Sequence, residues 1–97
     1  MRAIFHQRVY ADLAEIMAYY ERVATPELAD AFYREFRHFV EEAVERPGTF
    51  AARGGDIRRA DLRRFPYHFL FRIVGDSVRI LVVRHHRRHP SLGMTRR

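Results

Sequence analysis

The first half of the chain carries two apolar stripes with the period of an α-helix. The first stripe consists of Leu13, Ile16, Met17 and Tyr20, spaced i, i+3, i+4, i+7. Thr25 and Pro26 then favour a new helix start, as a cap and as a first-turn residue. The second stripe consists of Leu28, Phe32, Phe36, Phe39, Val40 and Ala43, and it ends at the sequence RPG. The connection is short, so the pattern predicts an antiparallel helical hairpin with both stripes facing the core.

The second half of the chain is typical of strands. A short apolar stretch at 2–6 predicts a first strand, and three further strands are predicted at 57–64, 67–74 and 77–85. The sequence between the second helix and these strands, GTFAARGGD, is expected to be a loop. The predicted order is therefore β-α-α-β-β-β. We expect an α+β fold of one domain, residues 1–97, with the helical hairpin packed on one face of a small antiparallel sheet.

Gly75 and Asp76 form a two-residue turn signal that predicts a hairpin between the last two strands. In a regular hairpin with this turn, residue 74 pairs with 77, and the two residue numbers of every cross-strand pair sum to 151. One face then carries the pairs Phe69–Val82, Phe71–Ile80 and Ile73–Val78, which should lie under the helices. The other face carries Leu70–Leu81, His68–Val83 and Arg72–Arg79.

The Arg72–Arg79 pair opposes like charges, which costs on the order of 0.2–1 kcal/mol. We therefore interpret this second face as the surface on which a partner docks. The alternative is an open, partly apolar face with no partner.

The charge of the chain is divided between its two halves. All 18 basic residues are arginine, and the chain has no cysteine. Mechanisms that need a lysine base or nucleophile, or a thiolate, are therefore excluded. Residues 1–52 carry a net charge of −3 and residues 53–97 a net charge of +9. This asymmetry indicates an anionic partner, either nucleic acid or an acidic protein, with a solvated basic surface as the alternative. No signal sequence or membrane-length apolar run is present, so a soluble, cytoplasmic protein is expected.

Three histidines near the C-terminus raise the question of a metal site. His85 and His86 should point to opposite faces of a strand, and Pro90 argues against a helix that would align His85 with His89. No cysteine and no nearby acid completes a ligand set. The sequence therefore predicts no metal.

Cleavage of RNA would need a base, an acid and cations on the phosphate. His85 or His86 could act as base or acid, Tyr67 could take part, and Arg64 and Arg87 could hold the phosphate. The sequence does not show whether these groups converge. A protein that only grips an anion remains the favoured alternative.

The segment LRRFPYHFLFRIVGDSVRILVVRHHRRHP resembles the C-terminal half of the RelE/ParE toxins of bacterial type II toxin–antitoxin systems. The helix VYADLAEIMAYY and the passage around ERPGTF and RGGDIRR are similar to the same family, so the resemblance covers nearly the whole chain. The absence of lysine, and of any tyrosine after Tyr67, favours the ParE-like branch over the ribosome-dependent RelE-like branch. The ending HRRHPSLGMTRR lacks the aromatic residue that many ParE-like tails carry.

The resemblance implies a toxin that inhibits growth by binding DNA gyrase, needs no cofactor, and is neutralised in a hetero-oligomeric complex with a cognate antitoxin. Two alternatives remain: an mRNA endoribonuclease that acts on the ribosome, and a non-toxic module that still binds its antitoxin. The residues expected to contact partners are Leu70, Arg72, Arg79, Leu81, Arg58, Arg63, Arg84, Arg87 and Arg88.

Overall fold

The computed structural model describes all residues, 1–97, as two helices packed on a five-stranded mixed sheet. The strands are β1 (Arg2–Phe5), β2 (Ala51–Gly54), β3 (Ile57–Asp61), β4 (Tyr67–Val74) and β5 (Ser77–His85). The helices are α1 (Gln7–Val23) and α2 (Pro26–Glu45), and a short 3-10 turn follows at Pro47–Thr49. The predicted α+β class and the helical hairpin are confirmed. Neither helix has both the length and the apolar character that crossing a membrane requires.

The start of α2 follows the local chemistry of its first residues. The Thr25 hydroxyl accepts a hydrogen bond from the Leu28 amide at 3.1 Å, and Pro26 occupies the first turn. Leu28 was predicted to face the core but is exposed, and Ala29 is buried instead. The rest of the stripe behaves as predicted, since Phe32, Phe36 and Val40 are buried against the sheet.

The sheet order is β1-β5-β4-β3-β2, and it departs from the prediction in two ways. First, β1 pairs with β5 in parallel, so the sheet is mixed and not antiparallel throughout. Second, the expected loop contains β2, which pairs with β3 at the sheet edge. The β3 strand is also shorter than predicted and ends at Asp61. Apart from its glycine, β2 consists of exposed Ala51, Ala52 and Arg53. These residues do not alternate between apolar and polar, so the sequence pattern did not indicate a strand.

The register of the β4–β5 hairpin follows the predicted sum only near the turn. Val74 pairs with Ser77 and Arg72 with Arg79, as expected. Beyond Phe71 the register shifts by one residue, so Leu70 pairs with Val82 and His68 with Arg84. A β-bulge at this point inserts Leu81 as an extra residue. The predicted pairs Phe69–Val82, Leu70–Leu81 and His68–Val83 are therefore wrong.

The bulge changes which side chains lie under the helices. Val83, and not Val82, joins the core between helices and sheet, where Phe36 and Phe69 meet edge to face at 5.5 Å. Leu81 and Val82 both belong to a second, smaller cluster on the opposite face, together with Ile57 and Leu70.

This opposite face is covered, contrary to the expectation of an open sheet. Leu92 and Met94 of the C-terminal segment, residues 90–97, pack on the second cluster. Leu70 is 1% exposed and Leu81 is 0% exposed. An apolar sheet surface gains stability when it leaves water, and here the chain's own end removes it from water. We call this the tail-covered face, and the other the helix-covered face.

Candidate functional site

Arg84 organises the tail-covered face. Its side chain is buried, although it carries a charge. The Nε atom donates to His68 Nε2 at 2.9 Å, and Nη1 donates to the carbonyl oxygens of Pro90 at 2.7 Å and Leu92 at 2.8 Å. Buried charges in proteins require such partners. Arg84 therefore joins β4 to the C-terminal segment.

A second set of contacts holds the segment from the side of α1. Arg96 Nη1 donates to Asp12 Oδ2 at 2.7 Å and to the Leu81 carbonyl at 3.1 Å. The same Asp12 oxygen accepts the Val83 amide at 3.0 Å. Gly93 adopts φ 83°, and a Cβ atom there would lie 2.5 Å from Val82 Cβ. Only glycine lets the segment pass this close to the sheet.

His68 and His86 lie on the tail-covered face with their rings nearly coplanar, the ring centroids 5.1 Å apart and the planes 11° from parallel. Their Nδ1 atoms are 2.9 Å apart. Because Arg84 Nε can only donate, His68 Nε2 must hold the lone pair, and the proton of the neutral ring is on Nδ1. His68 Nδ1 therefore donates to His86 Nδ1. This leaves the proton of a neutral His86 on Nε2.

Burial, with help from the neighbouring arginines, holds both rings neutral. Burial and the positive charges of Arg59 and Arg84 lower the pKa of His68 to about 4. Burial also lowers the pKa of His86, with Asp61 opposing and Arg59 adding to the effect. Burial, and then Arg59 and Arg53, likewise lower the pKa of Arg84. The face therefore presents fixed positive charge from arginine with uncharged imidazole between.

The fold also brings an acid to these histidines. Ligand atoms of Asp61, His68 and His86 lie within 4.8 Å of one another, so the expectation of no nearby acid is wrong. The proton on His68 Nδ1 nevertheless occupies the position that a metal would need. Arg59 also engages the site, because its Nε donates to Asp61 at 2.6 Å and its Nη2 lies 3.2 Å from His86 Nδ1. The cluster is better described as a hydrogen-bond network.

The groups considered for RNA cleavage are only partly brought together. His85 packs edge to face on Tyr67 at 5.1 Å and His86 lies beside His68, with the His85 and His86 ring centroids 6.3 Å apart. Arg64 is bound elsewhere, since its Nε donates to Glu35 at 3.0 Å. Arg87 is exposed in the turn after β5, where its amide donates to His85 Nδ1 at 3.0 Å.

The residues expected to contact partners are divided between the two faces. Leu70, Leu81 and Arg84 lie on the tail-covered face but are buried there, and Arg88 lies at its rim. Arg58 and Arg63 belong to the helix-covered side. Arg58 Nη1 donates to the Phe50 carbonyl at 2.8 Å, and the Arg63 guanidinium lies 5.9 Å from the Phe39 ring centre.

Arg72 and Arg79 are the members of this set with unmet hydrogen-bonding capacity. They pair directly across β4 and β5, as predicted. The Nε atom of each is buried and has no hydrogen-bond acceptor. The only carboxylate near either is Asp56, 3.7 Å from Arg72. Unsatisfied buried donors are rare, and these are the only two buried side-chain polar atoms of the chain without a partner.

Sequence reasoning missed two features of the site. His68 and Arg59 were not expected to act together, because their contact depends on the bulge and on the β3–β4 pairing. Glu35 was also missed. It accepts the amides of Arg63 at 2.8 Å and Arg64 at 3.0 Å, and so fixes the β3–β4 loop on α2. Burial alone would raise the pKa of Glu35, but the hydrogen bonds from Arg64 and Arg63 lower it overall.

Fold and site together define a small α+β binding domain with a basic sheet face. Comparison with known proteins identifies the family to which this domain belongs. Residues 3–90 match the family described as ParE toxin of type II toxin-antitoxin system, parDE. The toxin ParE2 of Mycobacterium tuberculosis, in strains H37Rv and CDC 1551, is 32% identical over 87 residues, which cover 89% of this chain and 82% of that protein. The chain therefore belongs to the ParE toxin family, and the ParE-like resemblance is confirmed.

A solved structure shows the same fold. A chain of the chromosomal ParDE toxin–antitoxin system from P. aeruginosa superposes with a TM-score of 0.77 at 24% identity. The match covers 88% of this chain and 95% of that chain. The two chains therefore share this fold.

Proposed function

We propose that this protein inhibits growth by binding DNA gyrase, and that a cognate antitoxin neutralises it by docking on its basic sheet. The observation that carries the proposal is the ParE family match over residues 3–90. The basic C-terminal half fits a protein whose partners are anionic.

The tautomers of the histidines support binding over cleavage. General acid–base catalysis needs both an acid and a base within hydrogen-bond reach of one substrate. Nδ1 of His86 lies against donors from His68 and Arg59, and Nδ1 of His85 accepts the Arg87 amide. A neutral ring at either position therefore carries its proton on Nε2, so the two rings, whose centroids are 6.3 Å apart, offer donors but no base.

Inhibition of gyrase should depend on Arg87. The purified chain should inhibit supercoiling by gyrase, and Arg87→Glu should weaken inhibition about tenfold, as expected when a charged contact is reversed. Arg87 is exposed, so the fold should tolerate the change. Supercoiling measured on agarose gels over a range of toxin concentrations gives the comparison.

The control for this prediction is Arg34→Glu, which makes the same charge change on an exposed site of α2. Equal loss in both variants would mean that charge alone drives inhibition. Gyrase activity untouched by the wild-type chain, with mRNA cut at codon positions in primer-extension mapping, would replace the proposal by ribonuclease action.

The antitoxin should place a carboxylate against Arg72 and Arg79. Both side chains are partly exposed and neither Nε has an acceptor, and a carboxylate binds guanidinium groups through strong, charge-assisted hydrogen bonds. Leu70 and Leu81 can take part only if the antitoxin displaces the C-terminal segment, because both are buried beneath it.

One variant of Arg79 separates a role in antitoxin binding from a role in stability. Arg79→Glu would place opposite charges across β4 and β5, which should raise the free energy of unfolding by about 0.2–1 kcal/mol. The same change should weaken antitoxin binding by about tenfold or more, because it repels the incoming carboxylate. Urea denaturation and calorimetric titration with the antitoxin measure the two effects. Higher stability with unchanged affinity would refute the contact.

A further inference from the structure

A cavity of about 320 Å³ opens on the tail-covered face beside the histidine pair. Its charged and imidazole lining consists of Arg53, Arg59, Arg84, Arg88, His68 and His86. These residues come from β2, β3, β4, β5 and the turn that follows β5, so the cavity exists only in the folded chain. No carboxylate lines it.

The positive charge of this cavity is largely uncompensated within the chain. Only Arg59 has an ion-pair partner, Asp61, at 2.6 Å. Arg53 and Arg88 are exposed and form no ion pair. Like charges held close together lower stability unless an anion joins them. The arrangement therefore favours an anionic ligand.

The histidine pair adds an oriented donor to the arginines. His86 Nδ1 lies against donors from His68 and Arg59, at 2.9 Å and 3.2 Å. Its only proton is then on Nε2, which becomes a hydrogen-bond donor and not a base. The hydrogen bond with His68, whose ring is nearly coplanar, fixes the plane of the His86 ring. The cavity thus combines arginine forks with one fixed N–H.

We propose that this cavity binds one phosphate group of a nucleic-acid backbone. A phosphate offers several acceptor oxygens to donors arriving from different directions, whereas a carboxylate offers two in one plane. Four arginines and one imidazole N–H surround the cavity, and this number fits the phosphate better. Neither histidine is a free base, so the site holds the nucleic acid without cleaving it.

This site is distinct from the Arg72–Arg79 pair assigned to the antitoxin. It also does not depend on gyrase being the target, since the nucleic acid can be free or held by another protein. Phosphate contacts of this kind carry no sequence information, so binding should be independent of sequence and sensitive to salt.

The test measures binding of a short, fluorescein-labelled single-stranded oligonucleotide by anisotropy, using the full-length chain. Arg53→Gln and Arg88→Gln should each weaken binding about tenfold, and each should reduce the salt dependence by about 0.7 in log–log slope. Both side chains are exposed, so neither change should disturb folding. Arg34→Gln removes the same charge from α2 and should change affinity less than about twofold.

Competition distinguishes the possible ligands. Inorganic phosphate should displace the oligonucleotide and should shift the ¹⁵N resonance of His86 Nε2, whereas a poly-glutamate peptide at equal charge should compete weakly. Three outcomes would overturn the proposal. They are equal losses in all three variants, an unmoved His86 resonance at saturating phosphate, and stronger competition by poly-glutamate, which would assign the cavity to an acidic protein.

Discussion

The protein should lose about 3 kcal/mol of stability through His68 as the pH falls from about 6.5 to about 4. The unfolded ring binds a proton near pH 6.5, but the folded ring binds it only near pH 4. Between these values the unfolded state holds more protons, so the free energy of unfolding rises with pH. This contribution is complete above pH 6.5 and is lost as the pH falls towards 4.

The groups that face His68 are Arg59, Arg84, His86 and Asp61. The stability of the whole protein has other contributions that depend on pH, so the effect of His68 must be isolated by comparison. His68→Gln keeps an acceptor for Arg84 but does not titrate. Urea denaturation across the pH range should therefore show a shallower slope in His68→Gln. Parallel profiles for the two proteins would mean that His68 takes up its proton in the folded state as easily as in the unfolded state.

Replacing Arg84 with methionine should lower the free energy of unfolding by about 2–4 kcal/mol. Methionine fills much of the same volume but leaves His68 Nε2 and the carbonyls of Pro90 and Leu92 without their donor. Hydrogen bonds to charged groups are among the stronger ones in proteins, so their loss dominates over the relief of repulsion with Arg59.

The same variant should release the C-terminal segment before the rest of the protein unfolds. Hydrogen exchange should accelerate at Leu92 and Met94, whose amides donate to His89 and Ser91 at 3.0 Å and 3.1 Å. The α2 amides should remain protected. Arg34→Met serves as the control, because it makes the same substitution on an exposed site of a helix. An unchanged unfolding midpoint and unchanged exchange in Arg84→Met would contradict the role of Arg84.

The helices were predictable because local chemistry decides them. The cap at Thr25 and the period of Phe32, Phe36 and Val40 are short-range signals that packing then confirms. The β4–β5 turn was equally local. The pairing of β1 with β5 was not, because it joins segments more than seventy residues apart with only a few residues in β1. No periodic pattern within β1 indicates the direction of its neighbour.

Most of the candidate site could not be predicted, because it depends on a β-bulge that leaves no pattern in the sequence. A single inserted residue, Leu81, shifts every pair beyond it. The shift places Arg84 opposite His68 and sends Val82 to the tail-covered face. The opposed Arg72 and Arg79 lie on the turn side of the bulge, and their pairing was therefore predicted correctly. The covering by residues 90–97 was missed because that segment forms no regular element.

The position of β5 determines when the protein can fold during translation. Of the five strands of the sheet, β5 is synthesised after the other four, yet it is an inner strand, hydrogen-bonded to β1 on one side and β4 on the other. Until it emerges, β1 has no partner, and the core lacks Val78, Ile80 and Val83. Contacts this distant along the chain form late. A product that terminates before β5 would therefore be inert, so premature stop codons well into the gene should still abolish any activity.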